Sequence, residues 1–193
     1  MAIEISVNEY DDDLINKIKS PAESLRKGNL VIFPTETVYG IAARADILSA
    51  VQKIYKAKNR PEGKPFAYHI GSMEMLYKIT GELPTEIDKI LKKYLPGPYT
   101  FLLNINNKKV GIRFPKCKIA QCFLNQCACP VMATSANISG EPSPTNIQMT
   151  AAVQKHVAYI IDAGETVENG ESTVIDLTVS PPKVIRQGSG KWK

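Results

Sequence analysis

The chain has 193 residues, of which 44% are hydrophobic, so it can bury one substantial core but is too short to promise two. Its first residues lack the basic start and the apolar segment of a secretion signal, and no stretch reaches the roughly 20 apolar residues of a membrane span. The formal net charge of +5 suits an anionic ligand, although the lysines are scattered. We therefore expect one domain over residues 1–193, in the cytoplasm and without membrane contact.

Four cysteines lie in one short segment of the sequence. They are Cys117, Cys122, Cys127 and Cys129. Their spacing lacks the C-x-x-C pairs of zinc and redox motifs, so a zinc site is the less favoured alternative. We expect reduced thiols in a reducing compartment and no metal ligand from protein side chains.

The amino-terminal part predicts a strand, two helices and a second strand. A strand near Ile3 to Ser6 precedes helical apolar spacing that begins after the acidic residues 11–13. Ser20-Pro21 is typical of the cap and first position of a new helix, and Lys27-Gly28 is typical of its end. A wholly apolar strand from Leu30 to Phe33 then stops at a proline.

The rest of the chain alternates helices and strands by the same criteria. Helices are predicted at Ile47 to Lys58, Met73 to Ile79, Thr85 to Tyr94, Ile119 to Leu124 and Ile147 to His156. Strands are predicted at Phe66 to Ile70, Tyr99 to Ile105, Val110 to Phe114, Val131 to Ala133, Tyr159 to Asp162, Thr173 to Leu177 and Val184 to Arg186. This order predicts an α/β (α+β) domain with one twisted, mixed sheet, whose ligands sit where loops leave the strands.

Two polar clusters in the first half follow predicted elements. Residues 34–40 place two hydroxyls, a carboxylate and a phenol directly after an apolar strand. Such a segment can also serve only turn and cap hydrogen bonds. Lys58-Asn59-Arg60 lies at a helix end, where a point charge and a guanidinium fork suit phosphate oxygens. The alternative, cations that answer the helix dipole, is equally favoured by the sequence alone.

Two further polar clusters lie in the second half. Residues 133–145 are rich in hydroxyls and amides after a buried strand, so they suit phosphates or an acyl oxygen, although an ordinary loop has the same composition. Ser172 and Arg186 lie at the ends of late strands, and Arg113 is a cation in a strand-like run that needs an anionic partner if buried. His69 is evenly balanced between core and site, whereas His156 is predicted at the surface.

Common catalytic frameworks are missing from the sequence. It contains no P-loop, no dinucleotide fingerprint, no H-E-x-x-H and no G-x-S-x-G motif. The polar clusters instead resemble the YrdC/Sua5 family of threonylcarbamoyl-AMP synthases in its short single-domain form. The Lys-x-Arg and Ser-x-Asn signatures of that family are similar to Lys58-Asn59-Arg60 and Ser135-Ala136-Asn137, and its Pro-Thr-Glu-Thr-Val-Tyr-Gly segment is found at residues 34–40. The resemblance covers about residues 30–188.

The resemblance implies specific roles for these residues. ATP would be held by Lys58, Arg60, Ser135, Asn137, Ser143 and Arg186, of which the first four would be catalytic. Threonine or the carbamoyl group would be held by Thr35, His69, Arg113 and Ser172. It also implies a YrdC-like fold with a wide, concave, basic surface, Mg²⁺ accompanying ATP, and no extra carboxy-terminal domain.

The activity implied by the resemblance is synthesis of threonylcarbamoyl-AMP and diphosphate from L-threonine, bicarbonate and ATP. The product would pass to a threonylcarbamoyl transferase complex that acts on tRNA, with a contact to RNA itself left open. One alternative is an RNA-binding maturation module of the same fold without this catalysis. Another is a carbamoyl-phosphate enzyme like the related domain of hydrogenase-maturation carbamoyltransferases, which we expect only in much larger chains.

Overall fold

The computed structural model describes residues 1–63, 65–168 and 170–193, and a ten-stranded sheet organises them. The strands are β1 (Ile3–Ser6), β2 (Val31–Phe33), β3 (Gly40–Arg44), β4 (Ala67–His69), β5 (Tyr99–Ile105), β6 (Lys108–Arg113), β7 (Val131–Ser135), β8 (Tyr159–Asp162), β9 (Thr173–Asp176) and β10 (Lys183–Arg186). The helices are α1 (Leu14–Arg26), α2 (Leu48–Ala57), α3 (Met73–Thr80), α4 (Thr85–Tyr94), α5 (Lys118–Cys127) and α6 (Ala151–Gln154), with a 3₁₀ turn at Gln148–Thr150.

The strands lie in the order β1-β8-β2-β3-β7-β4-β6-β5-β9-β10 across the sheet. Parallel pairs are β1·β8, β2·β8, β4·β6 and β5·β9. Antiparallel pairs are β2·β3, β3·β7, β4·β7, β5·β6 and β9·β10. The predicted α/β (α+β) class, with a mixed and mainly antiparallel sheet flanked by helices, is confirmed.

The apolar strand that ends at Phe33 shows how the sheet separates two cores. Successive side chains of a strand point to opposite faces. Val31 and Phe33 pack with α1 and α5, whereas Leu30 and Ile32 pack with α2. The sequence of this strand is hydrophobic throughout because both of its faces are covered.

A third apolar cluster supports the other half of the sheet. Helices α3 and α4 cover one face of β5, β6 and β9, where Phe101, Ile112 and Ile175 are fully buried. The neighbouring residues Thr100 and Arg113 belong to the opposite face because strand side chains alternate. That face stays open to ligands over this part of the sheet.

Three sequence-based details are wrong. The break at Ser20-Pro21 does not occur, because α1 continues through Pro21. The lost backbone hydrogen bond is outweighed by burial of Ile18, Ala22 and Leu25 on both sides of the proline. Strand β3 has no counterpart in the prediction, and the predicted helix from Ile147 to His156 reduces to a 3₁₀ turn and the short α6.

Among the described residues, no helix is both long enough and apolar enough to cross a bilayer.

Candidate active site

Strand register brings distant polar residues into one row across the open face of the sheet. His69 on β4 pairs with Arg113 on β6, and Arg113 pairs with Thr100 on β5. Thr100 pairs with Val174 on β9, which pairs in turn with Arg186 on β10. Residues far apart in sequence are thus neighbours on a rigid support, as a preorganised site requires.

The same face continues onto β3 and β7, where Gly40 pairs with Ser135. A side chain at position 40 would not fit, because an added Cβ would lie 2.9 Å from the ring of Phe33. Glycine at position 40 therefore avoids a clash with Phe33 in the wall of the site beside Ser135. This requirement explains the glycine that ends the 34–40 segment better than a turn does.

Two adjoining pockets occupy this concave surface and share Ser135 and Glu171 in their walls. The first pocket is lined by the four predicted threonine ligands, Thr35, His69, Arg113 and Ser172, and by Arg186. The second is lined by Lys58, Arg60 and Asn137. Ser143 reaches the shared wall through a hydrogen bond from its hydroxyl to Glu171. The structure thus brings all of the sequence-predicted site residues together.

The loop after β2 is organised by the hydroxyl of Thr35. Its Oγ1 donates to the carbonyl of Val38 at 2.7 Å and accepts from the backbone N–H groups of Thr37 and Val38, each at 3.2 Å. Thr35 is buried and also lines the first pocket. Thr35 therefore forms the turn hydrogen bonds that were the alternative interpretation of residues 34–40. Its contact with a substrate stays a prediction.

A buried ion pair anchors the next residue of that loop. Glu36 Oε1 accepts from Arg113 Nη2 at 2.7 Å, and both side chains are almost inaccessible to solvent. The other terminal nitrogen of Arg113 donates to the carbonyl of Gly97 at 2.6 Å. Burial lowers the pKa of Arg113, and the Glu36 carboxylate opposes that shift. The anionic partner expected for a buried Arg113 is thus Glu36, and the guanidinium is fixed at the pocket wall.

Lys58 is a buried lysine, not a solvated helix-end cation. Only 2% of the residue is exposed. Its Nζ donates to the carbonyls of Ser135 and Asn137 at 2.5 and 2.6 Å and to Asn137 Oδ1 at 3.0 Å. Burial lowers its pKa to about 8, with the Arg60 charge adding to the shift and Glu171 opposing it. The ammonium therefore ties the Lys-x-Arg segment to the Ser-x-Asn segment.

Arg60 lies beside Lys58 in the second pocket and keeps donor capacity. Its guanidinium carbon sits 5.3 Å from the centre of the Phe66 ring, a cation–π distance. Its Nε is buried and has no hydrogen-bond partner among the described residues. An unpaired buried donor is costly, so this nitrogen is suited to an anionic ligand.

Glu171 connects the two pockets through a network of charged and hydroxyl groups. Its carboxylate accepts from the Ser143 hydroxyl and forms an ion pair with Arg186. Arg186 also donates from Nη2 to the carbonyl of Ser172 at 2.8 Å, and the Ser172 hydroxyl lies 2.8 Å from Thr100 Oγ1. Arg186 is thus held at the edge of the site by Glu171 and by the carbonyl of Ser172.

His69 lines the first pocket, and its imidazole ring is neutral. Desolvation lowers its pKa to about 3, with the Arg113 charge adding to the effect. Its Nδ1 lies 3.1 Å from the carbonyl of Ala67, so this nitrogen carries the proton and donates. The ring stands edge-on to Phe33 at 6.0 Å between centroids. Its Nε2 is consequently left as an acceptor.

Sequence reasoning missed three contributors to this site: Glu36, Thr100 and Glu171. Glu36 lies inside the 34–40 cluster and Glu171 directly precedes Ser172, but no local signal shows what their carboxylates face. Thr100 is the second residue of β5, and only the pairing of β5 with β6 places it beside Arg113. A search for polar residues at strand ends would have found it.

Comparison with known proteins agrees with these motifs. The sequence model of the Sua5/YciO/YrdC family, described as "Telomere recombination", matches residues 23–188. The chain is 40% identical to the threonylcarbamoyl-AMP synthase of Pyrococcus abyssi, covering 97% of this chain and 58% of that protein. It is 35% identical to the threonylcarbamoyl-AMP synthase of Bacillus subtilis, covering 89% of this chain and 53% of that protein.

A solved structure gives the same result for the fold. The crystal structure of P. abyssi Sua5 complexed with L-threonine matches with a TM-score of 0.86 and 38% identity, over 97% of this chain and 57% of that chain. The chain therefore spans less than two thirds of the length of these relatives.

Proposed function

This chain belongs to the Sua5/YrdC family, and we propose that it synthesises threonylcarbamoyl-AMP from L-threonine, bicarbonate and ATP, with release of diphosphate. The observation that carries the proposal is the concave surface on which the predicted ATP residues and the predicted threonine residues line adjoining pockets. Two substrates held on either side of Ser135 and Glu171 would meet at that shared wall. The match to a Sua5 structure complexed with L-threonine supports the assignment of the amino-acid pocket.

The chemistry needs positioning more than a protein nucleophile. The threonine ammonium loses a proton to solvent, the free amine forms a C–N bond with the carbon of bicarbonate, and water leaves. A carbamate oxygen then attacks the α-phosphorus of ATP while the bond to the bridging oxygen breaks and diphosphate departs. Lys58, Arg60 and Arg186 would offset the negative charge around the phosphates, and the pocket would hold the two reactants in line.

The first pocket suits a zwitterionic amino acid with a hydroxyl. Arg113 presents a fixed cation for a carboxylate, and His69 presents a neutral acceptor for an N–H or O–H group. The hydroxyl of Ser172 lies in the same wall. Because His69 stays neutral, it adds no positive charge that would repel the substrate ammonium.

Mg²⁺ fits as an ion that arrives with the nucleotide. No group of three or more His, Cys, Asp or Glu side chains with metal-binding geometry occurs in the part of the chain that the structure describes. Mg²⁺ commonly binds substrate phosphates, water and one or two carboxylates. The exposed carboxylate of Glu141, which lines the second pocket, would add one such ligand. Bound there, the ion would neutralise phosphate charge.

The proposal extends to the fate of the product and to the compartment. A mixed anhydride of a carbamate and AMP is labile, so a transferase that consumes it must act soon, and we propose the threonylcarbamoyl transfer system of tRNA. All four cysteines are free thiols, which supports a reducing compartment such as the cytoplasm.

The test is diphosphate release by the purified chain with ATP, Mg²⁺, threonine and bicarbonate. We expect release to cease when threonine or bicarbonate is omitted. Arg60→Ala should lower turnover at least about a hundredfold, because a charge that meets phosphate in a desolvated site contributes on the order of 3 kcal/mol. The matched control is Lys56→Ala, an exposed cation of the same helix end, which should keep normal turnover. Release that continues without threonine would contradict the proposal.

A further inference from the structure

The carboxylate of Glu171 lies among the groups assigned to the nucleotide phosphates. One oxygen accepts from the hydroxyl of Ser143, and the other pairs with the guanidinium of Arg186. Glu171 lines both pockets, and its charge opposes the lowering of the Lys58 pKa that burial causes. A negative group thus already contacts a hydroxyl and a guanidinium that a phosphate would use.

The backbone fixes where this carboxylate stands. The carbonyl of Glu171 accepts from the N–H of Ser189 at 2.9 Å. Gly188 passes so close that an added Cβ would lie 2.1 Å from that carbonyl oxygen. The main chain at position 171 is therefore held between the start of β9 and the segment after β10, and only the side chain is free to turn.

Arg186 has contacts other than Glu171 that hold it in position. Arg186 keeps its hydrogen bonds to the carbonyl of Ser172 from Nη2 at 2.8 Å and from Nε at 3.2 Å. The side chains of Glu171 and Arg186 are 37% and 45% exposed, so their ion pair is weak enough to be exchanged. A ligand with more negative charge can replace the carboxylate without moving the guanidinium.

We propose that Glu171 is an internal anion that occupies the phosphate site when no nucleotide is bound and competes with the phosphates for Ser143 and Arg186. The inference rests on the proposed function, which places a triphosphate at these groups. This competition weakens the binding of the phosphates. After the reaction, the carboxylate displaces diphosphate from Ser143 and Arg186. Glu171 then lowers the affinity of the site for anions without contacting the reacting atoms.

The experiment measures binding of inorganic tripolyphosphate to the full chain by titration calorimetry, first with a chelator and then with saturating Mg²⁺. Glu171→Gln keeps the shape and removes the charge, so we expect affinity at least about tenfold higher in both conditions, since repulsion between close anions is lost. Glu171→Ala, which removes the competing group altogether, should change affinity in the same direction. Glu168→Gln removes one charge from the same loop without touching Ser143 or Arg186, and should change affinity less than about twofold.

Three results would overturn the inference. Unchanged or weaker binding by Glu171→Gln without metal would show that the carboxylate does not compete. Weaker binding only with Mg²⁺ would make Glu171 a metal ligand, and equal gains in Glu168→Gln would indicate general surface charge. Threonine-dependent diphosphate release by the unmodified chain is measured in parallel: if it is present while Glu171→Gln binds no tighter, only the inference fails. If the unmodified chain binds no tripolyphosphate and releases no diphosphate, both proposals fail.

Discussion

The affinity of this chain for ATP should fall as the pH rises through about 8, because the amine of Lys58 loses its charge there. Most lysines remain protonated to above pH 10. Burial lowers the pKa of Lys58 to about 8, and its Nζ sits 2.5 Å from the carbonyl of Ser135 in the wall shared by both pockets. Lys58 is thus an assigned cation of the phosphate site whose charge changes near pH 8.

The size of the effect follows from that pKa. With a pKa of about 8, the ammonium form is nearly complete at pH 7, half at pH 8 and roughly one tenth at pH 9. If ATP requires the ammonium, the dissociation constant should rise about twofold at pH 8 and about tenfold at pH 9.

Calorimetric titration of ATP between pH 7 and 9.5 checks this profile. Lys58→Ala should bind weakly at every pH, with a flat profile, because the titrating group is gone. Lys53→Ala is the matched control, since Lys53 is an exposed lysine of the same helix whose Nζ contacts only the carbonyl of Gly28 among the described residues. An affinity of the unmodified chain that stays constant from pH 7 to 9 would refute the reasoning.

The same pKa shift has a consequence for stability. The folded pKa of Lys58 lies below its unfolded value, so the unfolded chain binds more protons between about pH 8 and 10.5. The contribution of Lys58 to the free energy of unfolding should therefore rise with pH across this window, by at most about 3 kcal/mol. The raised pKa values of the buried cysteine thiols and of Tyr39 act in the opposite direction in both proteins. The difference in the free energy of urea unfolding between the unmodified chain and Lys58→Ala should therefore grow in favour of the unmodified chain as the pH rises.

Other contacts give three more predictions. Glu36→Gln leaves the Arg113 guanidinium buried without its charge partner, so chemical denaturation should show a loss of about 3 kcal/mol; a loss below about 1 kcal/mol would contradict the buried pair. Threonine should be preferred over serine about tenfold in kcat/KM, because one buried methyl contributes on the order of 1.4 kcal/mol; equal values would count against the pocket. Trp192→Ala removes a ring 4.6 Å from that of Tyr94 and should destabilise the chain by about 1 kcal/mol, seen as a lower Tm, whereas an unchanged Tm would show that this contact is not stabilising.

The sequence predicted those elements whose signal is local. Apolar runs such as that ending at Phe33, and helices with clear spacing such as α4, were placed correctly. Strand β3 was missed because its alanines and glycine carry little strand preference, and its pairing with β2 and β7 decides its state. The proline of α1 was read as a start, since only tertiary packing shows that the helix continues.

Within the site, the identities of the groups could be predicted but not all of their contacts. Lys58 was recognised as a candidate phosphate ligand, yet its burial depends on carbonyls of residues 135 and 137 that follow a distant strand. Glu171 faces Ser143 and Arg186 because of the order of β9 and β10, which no local pattern reveals. The charge of a side chain can be predicted from the sequence, whereas the residues that contact it depend on the topology of the sheet.

The central claim is that this chain joins a threonine-derived carbamate to the α-phosphate of ATP. The most direct measurement is mass spectrometry of the nucleotide product after rapid quenching, with carbon-labelled bicarbonate and threonine labelled separately. The account predicts an AMP adduct that carries both labels and is absent when either substrate is omitted. ATP consumption that yields only unlabelled AMP or ADP, under conditions in which authentic adduct survives the quench, would contradict it.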